Sequence, residues 1–455
     1  MFGNDAEAGV DRRSYLTGSA ALGLLSLGAG NAVGSGDRRD QTETKAKEQR
    51  VREIDECTTI TESGRYELVT DLTAAPGDTC LEIRASDVTL DGNGHTITGR
   101  DAAAPADDRF PFDSGSTGVL VRPPGSETRR TCGTERDLSR VSVENLIVEG
   151  FHTGIAVYET AKAELVGTHV KETSHGIFLF RAIGSVLSRN RAESNSETGY
   201  SLLDASENIL KENEAVGNSD AGFRLDRFST GSTGNLLLEN AAADNFSDGI
   251  RITDSDSNAV KRNATSGSAT GIAIEDSRKI LVENNDAGAL DTAIYLTGAA
   301  ENTLSGNDAV TETFGIRLSE SHRNAIATND SSRISLESSH QNTLKRNSAS
   351  GIQGIVLDRS HENTLEGNTA NDSLSAGILL SESHENRLLK NTADENRTYG
   401  FRLENASWNT GRGNSARDNG DGPIEIVGGD GNEIEVNGVR YTDDEFDSQN
   451  AGSSN

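Results

Sequence analysis

The chain has 455 residues, a formal net charge of −29, 48 glycines, 4% aromatics and a single Trp and Met. A surface this acidic repels nucleic-acid phosphates and anionic membranes, and leaves cations and neutral polymers as partners. So few large side chains argue against a conventional globular core of this length and favour a narrow core of stacked short strands.

Residues 1–34 read as an export segment. Asp11-Arg12-Arg13-Ser14-Tyr15-Leu16 precedes a mild apolar run to Gly30, an order that resembles a twin-arginine signal. The run falls short of the ~20 apolar residues that span a bilayer. The expectation is a secreted or cell-surface protein, folded before export and cleaved near Ala32. Scarce Lys beside Arg, with carboxylates along the whole chain, resembles the secreted proteins of extreme halophiles. Residues 35–56 are charged and form either a capping helix or a linker. Cys57 and Cys80 bracket the first β-rich segment and are paired on that ground, a closure worth ~3 kcal/mol. Cys132 is left over, and the count leaves other pairings open.

From residue 57 to 440 two motifs alternate. The first is Gly followed by a short apolar strand, as in Gly154-Ile-Ala-Val, Gly176-Ile-Phe-Leu, Gly222-Phe-Arg-Leu and Gly400-Phe-Arg-Leu. The second is a pair of Asn residues five apart around a short strand, as in Asn208/Asn213, Asn235/Asn240 and Asn363/Asn368. The period is mostly 21 to 23 residues, with about three strands in each unit. Stacked coils place equivalent residues ~4.8 Å apart, so Asn side chains can bond from coil to coil. Gly before the strand is expected to turn the chain with positive φ. A leucine-rich repeat needs more Leu and a helix or long turn in each unit, and no helical period is present. The fold class expected is all-β, a right-handed parallel β-helix. Insertions near 100–117 and 122–140 flank the strand Gly118-Val-Leu-Val121, and a long coil runs through Phe228–Gly234. Residues 441–455 form an acidic tail expected to be disordered, with Tyr441 and Phe446 placed to cap the last coil.

The Gly-Ile-x-Leu and Asn-x-Leu-x-x-Asn pattern, with Cys57-Thr-Thr-Ile, Cys80-Leu-Glu-Ile and Asp87-Val-Thr-Leu-Asp-Gly-Asn-Gly-His95, resembles the NosD-type β-helix, also called the carbohydrate-binding and sugar-hydrolase type. The resemblance runs from Cys57 to Asn437. It implies the fold; the scaffold serves lyases, hydrolases, epimerases, adhesins and accessory proteins alike.

Outward positions of the Gly-Ile-x-Leu strands form two rows. One runs Ala156, Phe178, Ser201, Arg224, Arg251, Ala273, Tyr295, Arg317; the other runs Tyr158, Phe180, Leu203, Asp226, Thr253, Glu275, Thr297, Ser319. Tyr158, Phe178 and Phe180 are the expected sugar-stacking residues. Arg224, Asp226, Arg251 and Glu275 are the candidate polar or catalytic groups, with Arg suited to a sugar carboxylate and the acids to general-base work or Ca²⁺. The same residues also suit a surface ion-pair row with a satellite apolar cluster. The paired Asp motifs and Gly-His-Gly of polygalacturonase-like enzymes are not found, which leaves lyase, hydrolase or epimerase activity undecided. His322, His340, His361 and His384 each occupy Ser-His-x-Asn, and a row of imidazoles there suits Cu²⁺, Zn²⁺ or Ni²⁺. The resemblance implies copper for this row. His152 and His175 are read as structural. The expected function is extracellular polysaccharide binding by a monomer, with a non-enzymatic envelope or adhesion scaffold and a copper-binding accessory protein as alternatives.

Overall fold

The computed structural model describes residues 51–100, 115–125 and 138–443. The export segment, most of the charged stretch, most of both insertions with Cys132, and Phe446 lie outside them.

Among the described residues the regular elements are all strands. One coil shows the path: Ile209–Lys211 lies in a first sheet, Glu214–Val216 in a second and Phe223–Asp226 in a third. Each pairs in parallel with its counterpart one coil on, Leu236–Leu238, Ala241–Ala243 and Asp248–Thr253. Among the described residues the three sheets hold 18, 12 and 16 strands, and the buried apolar side chains lie between them. In this coil Leu210, Ala215, Phe223 and Leu225 point inward and are 0% exposed. Strand alternation makes this possible, because every second residue faces the same side. The chain is a right-handed parallel β-helix.

Corners are turned by single left-handed residues, often charged ones, such as Glu212, Arg262 and Arg346 with φ near +55°. Their strain is held by the stacking: the Glu212 N–H donates to the Leu238 carbonyl of the next coil at 3.1 Å. The motif glycines behave differently from expectation, since none of Gly154, Gly176, Gly199, Gly222 and Gly249 has positive φ. They are required by close approach. A Cβ on Gly199 or Gly222 would lie 2.8 or 2.7 Å from a carbonyl oxygen of the next coil.

Buried Asn ladders tie the coils together. The Asn240 amide donates to Asn263 Oδ1 and to the Leu210 carbonyl, both at 2.9 Å. Its own Oδ1 accepts the backbone N–H and the amide of Asn213 at 3.0 Å. Every donor and acceptor of the amide is used, which removes the cost of burying it. Where the first ladder meets Ile280 it is interrupted, and it resumes at Asn302.

Cys57 and Cys80 are joined by a disulfide, linking consecutive strands of the third sheet's first coils. Residues 52–54, which sequence leaves between helix and linker, form a strand paired in parallel with Gly64–Leu68. At the other end Val439–Thr442 folds back antiparallel on Glu433–Val436, and Tyr441 packs against the core.

Candidate functional site

The two outward rows of the third sheet stand in the expected register: Ala156, Phe178, Ser201, Arg224 and Arg251 align on successive coils. Their environments change along the axis. Phe178 and Phe180 are buried at 3% and 8% exposure although they stand on the outer face. Ring contacts join His152, His175, Phe178, Tyr158, Phe180 and Phe228 in a chain with centroid spacings from 5.3 to 6.4 Å. This is a second apolar layer outside the solenoid wall. It withdraws Phe178 and Phe180 from an open stacking surface and leaves Tyr158 half-buried at its edge.

The long coil at Phe228–Gly234 is ordered by one carboxylate. Asp204 accepts the backbone N–H groups of Phe228, Ser229, Thr230 and Gly231 at 2.9 to 3.1 Å, and the Ser229 hydroxyl at 2.5 Å. Burial opposes the charge of Asp204, yet these bonds prevail and hold its carboxyl below the ordinary range.

Beyond the aromatic layer lies an ionic shelf. Arg224 donates to Asp226 at 2.6 Å and faces Asp220 at 3.8 Å. Arg251 donates to Asp248 at 2.5 Å, to Asp220 at 3.0 Å and to the Ser247 hydroxyl at 2.7 Å. Desolvation works against the Arg251 charge, but Asp248 and Asp220 keep its pKa raised. Arg224, Asp226 and Arg251 are thus brought together. Glu275 is not part of the cluster; it accepts from Thr253 at 3.3 Å. An open depression of about 270 Å³ adjoins the shelf at the corner, lined by Arg227, Thr230, Asp254, Asp276 and Arg278 among others.

Sequence reading stopped at the motif glycine and so missed Asp220 and Asp248, which precede it, along with Glu197. The signal was available: Glu197 and Asp220 are 23 residues apart, one coil, and His152 and His175 lie one residue off the 22-residue step of theirs. His152 and His175 are 1% and 8% exposed, with rings edge-to-face at 5.3 Å. None of their four ring nitrogens has a hydrogen-bond partner. Glu197 approaches His175 Nε2 at 3.4 Å without hydrogen-bond alignment. Burial decides the balance, and with His152 and Arg224 nearby it lowers the His175 pKa to about 4. Both imidazoles are therefore neutral near pH 7.

The four-histidine row is also real. His322, His340, His361 and His384 stack with centroids 4.8 to 5.1 Å apart and planes within 9° of parallel. Each Nδ1 accepts a backbone N–H of the next coil at 3.0 Å: His340, His361, His384 and Ser407 donate in turn. That bond assigns the proton of each neutral ring to Nε2.

Fold and site together define an acidic parallel β-helix that carries an ionic shelf on one sheet. The chain belongs to the NosD family, described as "Periplasmic copper-binding protein (NosD)", which matches residues 131–286, 226–333 and 328–442. No curated protein matches it. Among solved structures it is similar to the A-module of the Azotobacter vinelandii mannuronan C-5 epimerase AlgE6, with 17% identity, 82% of this chain and 91% of that one covered, and a TM-score of 0.39. It is also similar to the DFA-IIIase of Arthrobacter chlorophenolicus A6, at 14% identity, 66% and 70% coverage and a TM-score of 0.39. A third likeness is tailspike protein 2 of bacteriophage CBA120, at 12% identity, 55% and 43% coverage and a TM-score of 0.40. None of these likenesses bears on what this chain binds. No helix among the described residues is long and apolar enough to cross a membrane.

The family description implies copper, and the histidine row does not fit it as folded. Each Nδ1 is engaged by a backbone N–H. Each Nε2 carries the ring proton, and nearly parallel planes 4.8 to 5.1 Å apart point neighbouring Nε2 atoms the same way, so they do not converge on one metal. Among the described residues no group of three or more His, Cys, Asp or Glu side chains is arranged to hold a metal.

Proposed function

We propose that the protein is an exported glycan-binding β-helix whose binding surface is the shelf of the third sheet. The observation that supports this is the interlocked Arg224–Asp226–Asp220–Arg251–Asp248 network, in which each charged group is fixed by its neighbours and still faces solvent on one side. Side-chain exposures of 10 to 38% leave lone pairs and N–H groups available without freeing the side chains to move. Such pre-fixed donors and acceptors suit paired sugar hydroxyls, because little side-chain entropy is lost on binding. Three aspartates surround two arginines here, so the shelf has no spare positive charge for a sugar carboxylate; its ligand is a neutral, hydroxyl-rich stretch of glycan. Tyr158 at one end and the depression beside Arg227 at the other bound it.

A glycan array at molar salt, with and without Ca²⁺, tests this reading. Binding to neutral polysaccharides is expected, and the Arg224→Ala/Arg251→Ala variant should lose most of it. Silence on every glycan, or unchanged binding by that variant, counts against the shelf.

A further inference from the structure

If the shelf takes neutral sugar, the same face carries a second patch of opposite character three to five coils from Arg224. In the first outward row Tyr295 is followed by Arg317. The Arg317 guanidinium lies 5.5 Å from the centroid of the Tyr295 ring and 5.0 Å from that of Phe314. Arg333 sits 4.9 Å from the same Phe314 centroid. Two guanidiniums thus share one half-buried ring.

The coil that supplies Arg333 is irregular. Asn324 to Asn342 spans 18 residues, where Asn302 to Asn324 spans 22. The missing residues belong to the turn into the third sheet. The preceding coil has 310–313 between Asp308–Ala309 and Phe314–Ser319, whereas Ser332 follows Asp330–Ser331 at the position of Phe314. This coil lacks that turn, and Arg333 stands in register with Gly315 and Gly354, where most coils carry glycine. Loss of the turn goes with a long side chain at a position that other coils fill with glycine or a small residue such as Ala293.

Arg333 is poorly satisfied by the protein. It makes no ion pair among the described residues, and its Nε is buried with no hydrogen-bond partner. Arg317, by contrast, pairs with Glu337 at 3.3 Å, and Arg359 pairs with Glu337 and Asp358. Burial and the nearby Arg317 both disfavour the charge on Arg333. In a chain with 72 acidic and 43 basic side chains, an arginine set beside another arginine instead of a carboxylate is costly unless an anion joins it.

We infer that Arg333, with Arg317, Phe314 and Tyr295, forms an anionic-sugar subsite that takes the carboxylate or sulfate of an acidic sugar residue. The anion lies against the two guanidiniums, and the apolar face of its ring lies on Tyr295. This deepens the glycan reading: the ligand is a polysaccharide with acidic residues spaced among neutral ones.

Calorimetric titration with a uronic-acid oligosaccharide, its carboxyl-reduced counterpart and inorganic sulfate tests the subsite. The proteins compared are the wild type, Arg333→Gln, Arg224→Ala/Arg251→Ala and, as a control on the same face, Arg359→Gln. Arg333→Gln is expected to lose about tenfold in affinity for the uronic-acid ligand, Arg359→Gln less than twofold. Arg333→Gln should also melt no lower than the wild type without ligand, because it removes an unpaired charge; a marked fall in Tm would assign Arg333 a structural role and overturn the subsite. Equal affinity for the acidic and the reduced oligosaccharide overturns it too. If the reduced ligand binds and only the Arg224/Arg251 variant loses it, the shelf stands and the subsite falls. If the acidic ligand binds through Arg333 alone, the subsite stands without the shelf. Binding of neither overturns both.

Discussion

His175 offers the sharpest test of the site's electrostatics. Its ring is 8% exposed, lacks hydrogen-bond partners and has a pKa lowered to about 4 from the ordinary 6.5. The unfolded chain therefore binds a proton at this residue between pH 6.5 and about 4, while the folded chain does not. A depressed folded pKa means that the contribution is fully present above pH 6.5 and is lost as pH falls toward about 4. The size follows from the shift: roughly 2.5 pH units at 1.36 kcal/mol each is about 3 kcal/mol. His175→Phe keeps an aromatic ring beside His152 and Phe178 and removes the titration. Urea melts of both proteins at pH 7.5 and pH 4, in the same salt, isolate the effect from the many carboxylates, which both proteins share. The wild type should lose about 3 kcal/mol more than the variant on acidification. Equal losses would mean that His175 is protonated in the folded protein, with Glu197 swinging in to pair with it, and would refute the reasoning.

Three further outcomes are expected. Asn263→Leu should cost about 3 kcal/mol or more, because it strands the backbone N–H and amide of Asn240 in the core; denaturant midpoints measure it. Asp204→Ala should free residues 228–231, cost about 2–3 kcal/mol and open that loop to limited proteolysis, while Asp204→Glu should protect it only in part. His340→Ala/His361→Ala should bind Cu²⁺ as the wild type does, since the folded row presents no converging nitrogens. A lower copper stoichiometry in that variant, read by titration at neutral pH, would show that the row opens to take the metal.

Much of the fold was legible because a solenoid writes its geometry as a period. The coil length, the two Asn rows, the inward Leu and Ile, and the outward register from Ala156 to Arg317 all follow from spacing. The reason for the motif glycine was not legible, because a glycine needed for positive φ and one needed for close approach look alike in sequence. The site was legible as positions and not as environments. Phe178 and Arg224 occupy equivalent positions, yet one is sealed in an outer apolar layer and the other half-exposed. That difference depends on what lies over each coil. The same limit hid the surroundings of Arg333: the 18-residue step from Asn324 to Asn342 is visible in the sequence, but which turn it removes shows only in the strand pairing.

The reversed strand at Val439–Thr442 has a consequence for how such molecules meet one another. A parallel solenoid ends in open strand edges, and each is a template for the matching edge of another copy, so that stacked copies would lengthen into filaments. A final strand of opposite polarity breaks the template on its sheet: an incoming parallel coil finds donors and acceptors out of step. Among the described residues, these four set a strand of opposite polarity on that sheet's edge, where a further parallel coil would otherwise pair.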